Sequence, residues 1–207
     1  MQIRSAVSLL RTLYRLWRRA RLRSVPSVIS RDCVGGVLFH DLGLDFRSPT
    51  VNLFLPAEDF LLFCRHLADF LSVQMEELPG HGKPYPMGRL ATGHGTVTLH
   101  LMHYASFSEA AEAWERRKRR VDMDNLRIIF HAPPGIPEQL AGQFEQLPFE
   151  HKVLLSGGMD TEKYPHCYNL PCYAEGCREP VTYYPSPSSV RRYQDGFDWI
   201  PFLNGET

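Results

Sequence analysis

One stretch of the chain, residues 25–49, restricts the possible fold more than any other. It opens with an apolar run at residues 25–30, which predicts a strand, and continues through the sequence S-R-D-C into an apolar helical pattern that ends at Leu42. Gly43 follows, at the place where helices commonly end in a left-handed residue. The stretch therefore predicts a strand followed at once by a helix, with Cys33 in the first turn of that helix.

A cysteine in this position has a physical reason to be reactive. The free backbone N–H groups and the dipole of a helix N-terminus favour a negative charge, which lowers the pKa of a thiol. Gly35 and Gly36 would let a substrate approach the backbone closely, so they are candidate substrate-binding residues. The alternative is that Cys33 is a small buried apolar residue at a tight turn.

Several motifs in and beyond this stretch resemble one protein family. The sequences S-R-D-C-V-G-G and D-L-G-L-D-F-R-S-P-T-V-N-L-F, followed by Y-P-M-G at 85–88, L-M-H-Y at 101–104 and W-E-R-R at 114–117, resemble the domain-of-unknown-function family 1919. The resemblance covers residues 28–156 and continues more weakly to Leu203. Members of that family are often described as exopolysaccharide biosynthesis proteins, so the resemblance implies a bacterial polysaccharide pathway and not a particular reaction.

Charge is distributed unevenly along a chain whose formal net charge is zero. Residues 1–23 contain seven arginines and no acidic residue, whereas the rest of the chain has 16 basic and 23 acidic residues. A mildly acidic body argues against nucleic acid as its partner. We therefore divide the 207 residues into a basic amphipathic helix at 1–24 and an α/β domain at 25–207, of which 159–207 form an irregular tail rich in Tyr, Pro and Cys.

The predicted N-terminal helix has two contrasting faces. At 100° per residue, one face carries arginines and the other carries leucines and a tryptophan. The first set is Arg4, Arg11, Arg15 and Arg18, and the second is Val7, Leu9, Leu10, Leu13, Leu16 and Trp17. The apolar run is too short to span a bilayer and no secretory signal is recognisable, so we expect a cytoplasmic protein whose residues 1–23 bind anionic lipid at the inner membrane surface. The alternatives are a solvated extension and a helix packed on the body.

Strand and helix patterns alternate along the rest of the chain. The predicted strands are 50–55, 87–90, 96–103, 126–130 and 152–156, and the predicted helices are 56–71, 106–121 and 138–146. Alternation of this kind favours some parallel pairing, while the two strands within 87–103 are typical of an antiparallel hairpin. The predicted fold class is α/β, a single domain with a mixed β-sheet flanked by helices.

The strongest catalytic hypothesis combines Cys33, His103 and Asn125. Their order in the chain, with nucleophile, base and orienting residue in turn, is that of papain-like hydrolases and acyltransferases. His103 is predicted to end one strand and Asn125 to open the next, so the two side chains would meet if those strands are neighbours. The alternatives are Asp124 as the orienting residue and His100 or His40 as the base.

Two further groups of charged residues suggest binding sites. Arg116, Arg117 and Arg120, at the end of a predicted helix, form a candidate site for the phosphate of a carrier, although cations also stabilise a helix C-terminus. Asp122 and Asp124 have the D-x-D spacing with which glycosyltransferases hold a divalent metal ion and a nucleotide diphosphate. The arginines would assist acyl transfer, whereas the acidic pair would replace it with a metal-dependent reaction.

These observations lead to one functional hypothesis and two alternatives. We expect cysteine-dependent acyl transfer to a sugar or polysaccharide intermediate, without a metal or other cofactor, in which backbone N–H groups near Cys33 and Val34 stabilise the oxyanion. The first alternative is a metal-dependent glycosyltransferase that uses Asp122 and Asp124. The second is a non-catalytic subunit of a polysaccharide assembly complex at the membrane surface.

Overall fold

A computed structural model describes residues 2–80 and 82–206, with side chains from residue 6 onward. Its helices are α1 Gln2–Ala20, α2 Cys33–Leu42, α3 Ala57–Arg65, α4 Leu67–Ser72, α5 Phe107–Lys118, α6 Glu138–Glu145, α7 Pro171–Ala174 and α8 Trp199–Asn204. Its strands are β1 Ser27–Ser30, β2 Glu76–Glu77, β3 Met87–Thr92, β4 Gly95–His100, β5 Leu126–His131, β6 Lys152–Ser156 and β7 Cys167–Asn169. The predicted α/β class is confirmed.

The parallel and antiparallel strands are separated into two sheets. The larger sheet is parallel, with the order β1-β5-β6-β7, and the smaller is antiparallel, with the order β2-β3-β4. Because all strands of the larger sheet point the same way, Ser30, His131 and Ser156 end three of them at one common edge. This carboxyl edge is where ligands usually bind in open α/β sheets.

The parallel sheet has an apolar core on each of its faces. The side chains of β5 alternate, so that Ile128 and Phe130 pack into one core and Ile129 packs into the other. The first core also contains Phe60, Phe63, Phe70, Trp114 and Phe144, and the second contains Val34, Leu38, Phe39, Trp199 and Phe202. Burial on both faces is expected of parallel strands covered by helices.

The predicted strand at residues 50–55 is wrong. Its apolar residues are buried at alternate positions, as the strand pattern requires. Asn52, however, has a φ of 65°, a left-handed conformation that interrupts an extended ladder. Within this segment the structure has an isolated bridge, from Phe54 to His100 at the end of β4. The segment is an irregular apolar connection that packs against the core.

Residues 159–206 are part of the fold and contain short regular elements. It adds β7 to the parallel sheet, and α8 inserts Trp199 and Phe202 into the second core. Arg127 of β5 donates hydrogen bonds to the carbonyls of Phe202 and Leu203, at 2.8 and 3.1 Å, and so fixes α8 against the sheet. A Tyr- and Pro-rich composition thus accompanies an ordered, closely packed segment.

Helix α1 packs on the body of the protein through its arginine face. Arg18 and Asp195 form a salt bridge of 2.9 Å in which both side chains are buried. The other contacts join Arg11 to the carbonyl of Ser189, Arg15 to Asp41 and Arg19 to the carbonyl of Leu42. The side chain of Arg4 lies outside the described residues. The arginine stripe from Arg11 to Arg18 is therefore explained by packing on the body and not by lipid.

The opposite face of α1 is apolar and exposed. Leu9, Leu10, Leu13, Leu16 and Trp17 are between 51% and 60% exposed. A surface helix normally turns its apolar face to the core. Helix α1 is reversed, because the acidic side chains of Asp41 and Asp195 in the body hold its arginines. None of the helices in the described part of the chain is long and apolar enough to cross a membrane.

Candidate functional site

The carboxyl edge of the parallel sheet places Cys33, half-buried, at the start of α2. The Asp32 side chain caps this helix by accepting a hydrogen bond of 3.1 Å from the Val34 N–H. Gly43 ends the helix in the left-handed conformation, with φ of 61°. The local prediction for this stretch, a strand followed by a helix that begins at Cys33, is confirmed.

The same edge brings His103 next to Cys33. The Sγ atom of Cys33 lies 3.4 Å from Nε2 of His103. His103 is exposed in a turn after the end of β4, which stops at His100 instead of continuing to residue 103 as predicted. The N–H of Tyr104 closes this turn by donating to the Leu101 carbonyl. The thiol and the imidazole are close enough for proton transfer.

The surroundings of Cys33 keep its thiol protonated. Burial and the neighbouring Asp32 carboxylate raise the pKa of Cys33 to about 11. The helix N-terminus does not offset them, because the Val34 N–H is bonded to Asp32 and the Gly35 N–H is bonded to Ser30 Oγ at 3.2 Å. Two expectations are therefore wrong. The thiol is not activated by a lowered pKa, and the Val34 N–H is not free to hold an oxyanion.

A second histidine at this edge has no counterpart among the predicted site residues. His131, the last residue of β5, is 9% exposed and lies between a carboxylate and a phenol. Its Nδ1 is 2.6 Å from Oδ2 of Asp32, and its Nε2 is 2.7 Å from the hydroxyl of Tyr173. With a proton on Nδ1, His131 donates to Asp32, and its Nε2 pairs with the Tyr173 hydroxyl. This chain of hydrogen bonds begins one residue from Cys33.

Asp32 carries a negative charge within this network. Burial raises the pKa of its carboxyl group, but the charge and hydrogen bond of His131, the Val34 N–H and Arg31 outweigh burial, so the pKa is lowered. Burial, together with nearby Cys172 and Asp32, raises the pKa of Tyr173, which remains a neutral phenol. The network therefore keeps the negatively charged carboxylate of Asp32 next to the Cys33 thiol.

Arg31 adds a cation to the same edge. Its guanidinium donates to the carbonyls of Leu55 and His131 at 3.1 and 2.7 Å, and it lies 4.7 Å from the centre of the Phe54 ring. Burial lowers the pKa of Arg31, while Asp32 and Glu58 act in the opposite direction. A guanidinium remains charged under such shifts. Arg31 thus ties the end of β1 to the end of β5 as a positive group near the site.

Asn125 lies at the opposite edge of the sheet. It directly precedes β5, and its carbonyl accepts a hydrogen bond of 2.9 Å from the Ser27 N–H at the start of β1. His131 is six residues further along β5, about 20 Å away at the rise of a strand. The structure brings Cys33 and His103 together, and it does not bring Asn125 to them.

The alternative bases have other partners. Nδ1 of His100 lies 3.2 Å from the hydroxyl of Tyr85. His40 is exposed near the end of α2, where its Nδ1 lies 3.5 Å from the Asp41 carboxylate. Cys33 begins that helix, so His40 is seven residues, or about 10 Å, from it along the helix axis. The histidine that lies against Cys33 Sγ is His103.

Asp122 and Asp124 shape the turn that precedes β5. The Asp124 N–H donates to Asp122 Oδ1 at 3.1 Å, and the Asp122 N–H donates to Ser27 Oγ at 2.8 Å. Within residues 2–80 and 82–206, no third His, Cys, Asp or Glu joins them as a potential metal ligand. The Asp122 carboxylate therefore already has a hydrogen-bond partner within the turn. The structure gives no support for a metal site beyond the D-x-D spacing itself.

One other group of side chains has the chemistry of a metal site. The rings of His66 and His94 stack with centroids 3.7 Å apart, and His94 Nε2 lies 3.0 Å from Asp69 Oδ2. Their potential ligand atoms lie within 4.8 Å of one another. His94 is in the turn that precedes β4, at the far end of that strand from the His103 turn. The group is an exposed Asp69–His94 contact with a stacked imidazole, separate from the Cys33 site.

The two predicted substrate-binding glycines serve close packing. A Cβ atom at Gly35 would lie 2.8 Å from Cβ of Ser30, and one at Gly36 would lie 3.3 Å from Cγ1 of Val51. The missing side chains let α2 approach β1 and the segment that follows the helix. Gly35 and Gly36 therefore have a structural role in this fold, and their part in substrate binding stays a prediction.

The three arginines near the end of α5 do not gather around Cys33. Arg117 donates to the hydroxyl of Tyr104 and to the carbonyl of Val51, contacts that hold α5 in place. Arg116 is exposed on the last turn of α5. Arg120 lies beyond the helix, where it lines a surface cavity together with Asp45 and Arg47. A phosphate site made of all three arginines has no geometric support.

Comparisons with known proteins give one family and one relative. Residues 8–204 match the family described as "Domain of unknown function (DUF1919)". The chain is also 32% identical over 208 residues to a protein of Haemophilus influenzae (strain Rd) described as "Uncharacterized protein", and the match covers 98% of this chain and 97% of that protein. Similarity therefore extends over nearly the whole chain, including the stretch that contains Cys33.

Proposed function

The chain belongs to the DUF1919 family, a domain of unknown function, and we propose that it is an acyltransferase with Cys33 as its nucleophile. The observation that carries the proposal is the separation of 3.4 Å between Cys33 Sγ and His103 Nε2. Covalent acyl transfer needs a nucleophile with a base in reach of its proton. The position of both groups at the carboxyl edge of a parallel sheet supports a ligand site there.

The raised pKa of Cys33 determines how the reaction begins. Burial and Asp32 raise this pKa to about 11, so the resting side chain of Cys33 is a thiol. His103 Nε2 takes the thiol proton as Sγ attacks the carbonyl carbon of the donor. The imidazolium then gives that proton to the leaving group, and a thioester of Cys33 remains. An acceptor hydroxyl attacks the thioester with His103 again as the base, which yields an ester and restores the thiol.

The buried network positions the nucleophile in this proposal. Asp32 caps the helix that begins with Cys33, and His131 holds the capping carboxylate from the other side. The capping carboxylate raises the cost of a thiolate, so proton removal by His103 accompanies the attack on the donor. Arg31 replaces the predicted arginine group as the cation for a phosphate or an oxyanion, because its guanidinium is fixed at this edge.

We propose a sugar or polysaccharide intermediate as the acceptor, in bacterial exopolysaccharide assembly at the cytoplasmic face of the inner membrane. The resemblance of the sequence motifs to a family often described in those terms supports the pathway. The exposure of His103 leaves space for a large acceptor. The exposed apolar face of α1 supports a location at a membrane surface.

The face of α1 also favours a second candidate, a non-catalytic subunit of a polysaccharide assembly complex. In that case the contact made by α1 is the function, and the Cys33–His103 pair is incidental. The two candidates differ in the polymer output of cells that carry single substitutions. Cys33→Ala abolishes output if the protein is an acyltransferase, whereas it leaves output unchanged if the protein is a structural subunit.

The direct test of acyl transfer is to trap the thioester with p-nitrophenyl acetate and to measure the intact mass of the protein. We expect one acetyl group on Cys33, located by peptide mapping, and a burst of nitrophenolate. Cys33→Ala should remove both signals, and His103→Ala should slow acetylation at least about 100-fold. Cys177→Ala is the matched control, because Cys177 is also a half-buried free thiol. Equal acetylation of Cys33 and Cys177 in the native protein would overturn the proposal.

A further inference from the structure

The reversed orientation of α1 is fixed by contacts of Arg15 and Arg18 with buried acidic side chains. Arg18 is 3% exposed and is paired with Asp195, which is also 3% exposed. Arg15 Nη2 lies 2.8 Å from Asp41, an acid that Arg192 also holds at 2.6 Å. Rolling the helix over would separate buried opposite charges, which is unfavourable, so the helix keeps this orientation. Its apolar face therefore points outward.

The outward face is broad. Leu16 and Leu10 mark its limits, about 120° apart on the helix circumference at 100° per residue. Leu9, Leu13 and Trp17 lie between them. A coiled-coil seam is a narrower stripe, whereas a helix that lies in a flat apolar boundary buries a wide face. The width favours a planar contact over pairing with one other helix.

One cation borders this apolar face just beyond the end of α1, and further arginines line cavities on the same side of the body. The guanidinium of Arg21 lies 4.6 Å from the centre of the Trp17 ring. Arg19 and Arg47 line one surface cavity with Asp45, and Arg47 lines the next cavity with Arg120. A tryptophan ring beside exposed arginines is typical of the boundary between acyl chains and anionic headgroups. These cations complement anionic lipid.

We propose that the apolar face of α1, formed by Leu9, Leu10, Leu13, Leu16 and Trp17, inserts into the interface of a membrane that contains anionic lipid. The proposal rests on the membrane location given under the proposed function, and it is independent of the Cys33 chemistry. It reverses the usual arrangement of a basic amphipathic helix. The arginines of the helix bind acidic residues of the body, and its leucines enter the acyl region of the membrane. The arginines beside the apolar face contact the lipid headgroups.

The three tryptophans of the chain make this contact measurable. Trp17 is 55% exposed, whereas Trp114 and Trp199 are each 1% exposed, so a change in the emission of the native protein on lipid reports Trp17. The probe is vesicles of phosphatidylcholine with or without phosphatidylglycerol. With phosphatidylglycerol, we expect a blue shift, protection of Trp17 from acrylamide and co-sedimentation of the protein. Vesicles of phosphatidylcholine alone should bind the protein at least about tenfold more weakly.

A pair of substitutions on α1 separates insertion from general electrostatics. Leu13→Glu places a charge in the centre of the apolar face and should weaken vesicle binding at least about tenfold. Ser8→Glu adds the same charge on the exposed surface outside that face, and it should leave most of the binding intact. Circular dichroism checks that both variants are folded. Equal losses from the two substitutions would overturn the proposal.

Two other results would also overturn it. The first is unchanged Trp17 emission with both kinds of vesicle. The second is a stable dimer in sedimentation equilibrium that Leu13→Glu dissociates, because the face would then belong to a second copy of the chain. If acetylation of Cys33 persists in either case, the acyltransferase proposal stands without the membrane contact. If vesicle binding occurs and Cys33 is inert, the membrane contact stands without the acyltransferase.

Discussion

The two histidines at the carboxyl edge of the parallel sheet have opposite surroundings. His131 is buried, and both its nitrogens are occupied, by Asp32 at 2.6 Å and Tyr173 at 2.7 Å. His103 is exposed, and Cys33, at 3.4 Å, is its one hydrogen-bond partner among the described residues. A histidine with a supporting role is favoured when both of its ring nitrogens are hydrogen-bonded. A histidine that exchanges protons with a substrate needs a ring nitrogen that the substrate can reach. In the proposed reaction, His131 therefore has the supporting role and His103 the proton-transfer role.

The largest expected effect comes from replacing His131 by alanine. The change leaves the Asp32 carboxylate and the Tyr173 hydroxyl without their partner in a poorly solvated place. We expect the free energy of unfolding to fall by about 2–4 kcal/mol, measured by urea denaturation. His40→Ala is the control, because its side chain is 72% exposed. An equally small change in both variants would contradict the supporting role of His131.

Removal of the Tyr173 hydroxyl should have a smaller effect. Tyr173→Phe deletes the hydrogen bond to His131 Nε2 and keeps the ring that stacks on the imidazole. The expected loss is about 1 kcal/mol in the same denaturation assay. Tyr183→Phe, at a tyrosine that is 56% exposed, should change stability by less than about 0.5 kcal/mol. A stabilised Tyr173→Phe protein would show that the hydroxyl does not satisfy His131.

The Asp32–His131 pair should also affect how the free energy of unfolding changes at acidic pH. The pKa of Asp32 is lowered by His131, so its contribution is complete above the ordinary value of about 4 and is lost as pH falls through the folded-state pKa. Asp32→Asn keeps an oxygen for the Val34 N–H and lacks this titration. The difference in unfolding free energy between the two proteins should shrink as pH falls below about 4. A constant difference across that range would contradict the pair.

His103→Ala should have the smallest effect on stability. The side chain is exposed and makes one long contact with sulfur, so we expect a change within about 0.5 kcal/mol by urea denaturation. The same substitution should nevertheless impair acetylation of Cys33, as stated for the thioester assay. A stability loss comparable to that of His131→Ala would show that the two histidines do not have distinct roles.

The sequence was sufficient to predict features that depend on neighbours in the chain. The strand and helix around Cys33 follow from local patterns and from Gly43. The pairing of Cys33 with His103 followed from their chain order and was correct as a contact. Asn125 was misplaced because no local pattern reveals strand direction, and parallel pairing of β1 with β5 puts that residue at the amino edge. The same pairing brings His131, one residue past the predicted strand, to Asp32.

The orientation of α1 depends on contacts that are distant in the chain. The helical pattern predicts an arginine face and an apolar face, but it does not show which of the two packs on the body. The choice between them is made by Asp41 and Asp195, which pair with Arg15 and Arg18. Tyr173 was likewise overlooked, because it lies in a segment whose composition suggested an irregular tail. In each case the deciding partner is remote in sequence, and the pattern around the residue carries no sign of it.

The most direct test of the central claim is the pH dependence of Cys33 alkylation by iodoacetamide, followed by peptide mass spectrometry in the native protein and in His103→Ala. Burial and Asp32 raise the pKa of Cys33 to about 11, so a thiol without a base reacts slowly near neutral pH and about tenfold faster with each pH unit up to that value. We predict this steep profile for His103→Ala and a much faster, flatter reaction near neutral pH for the native protein. Coinciding profiles would show that His103 does not accept the Cys33 proton.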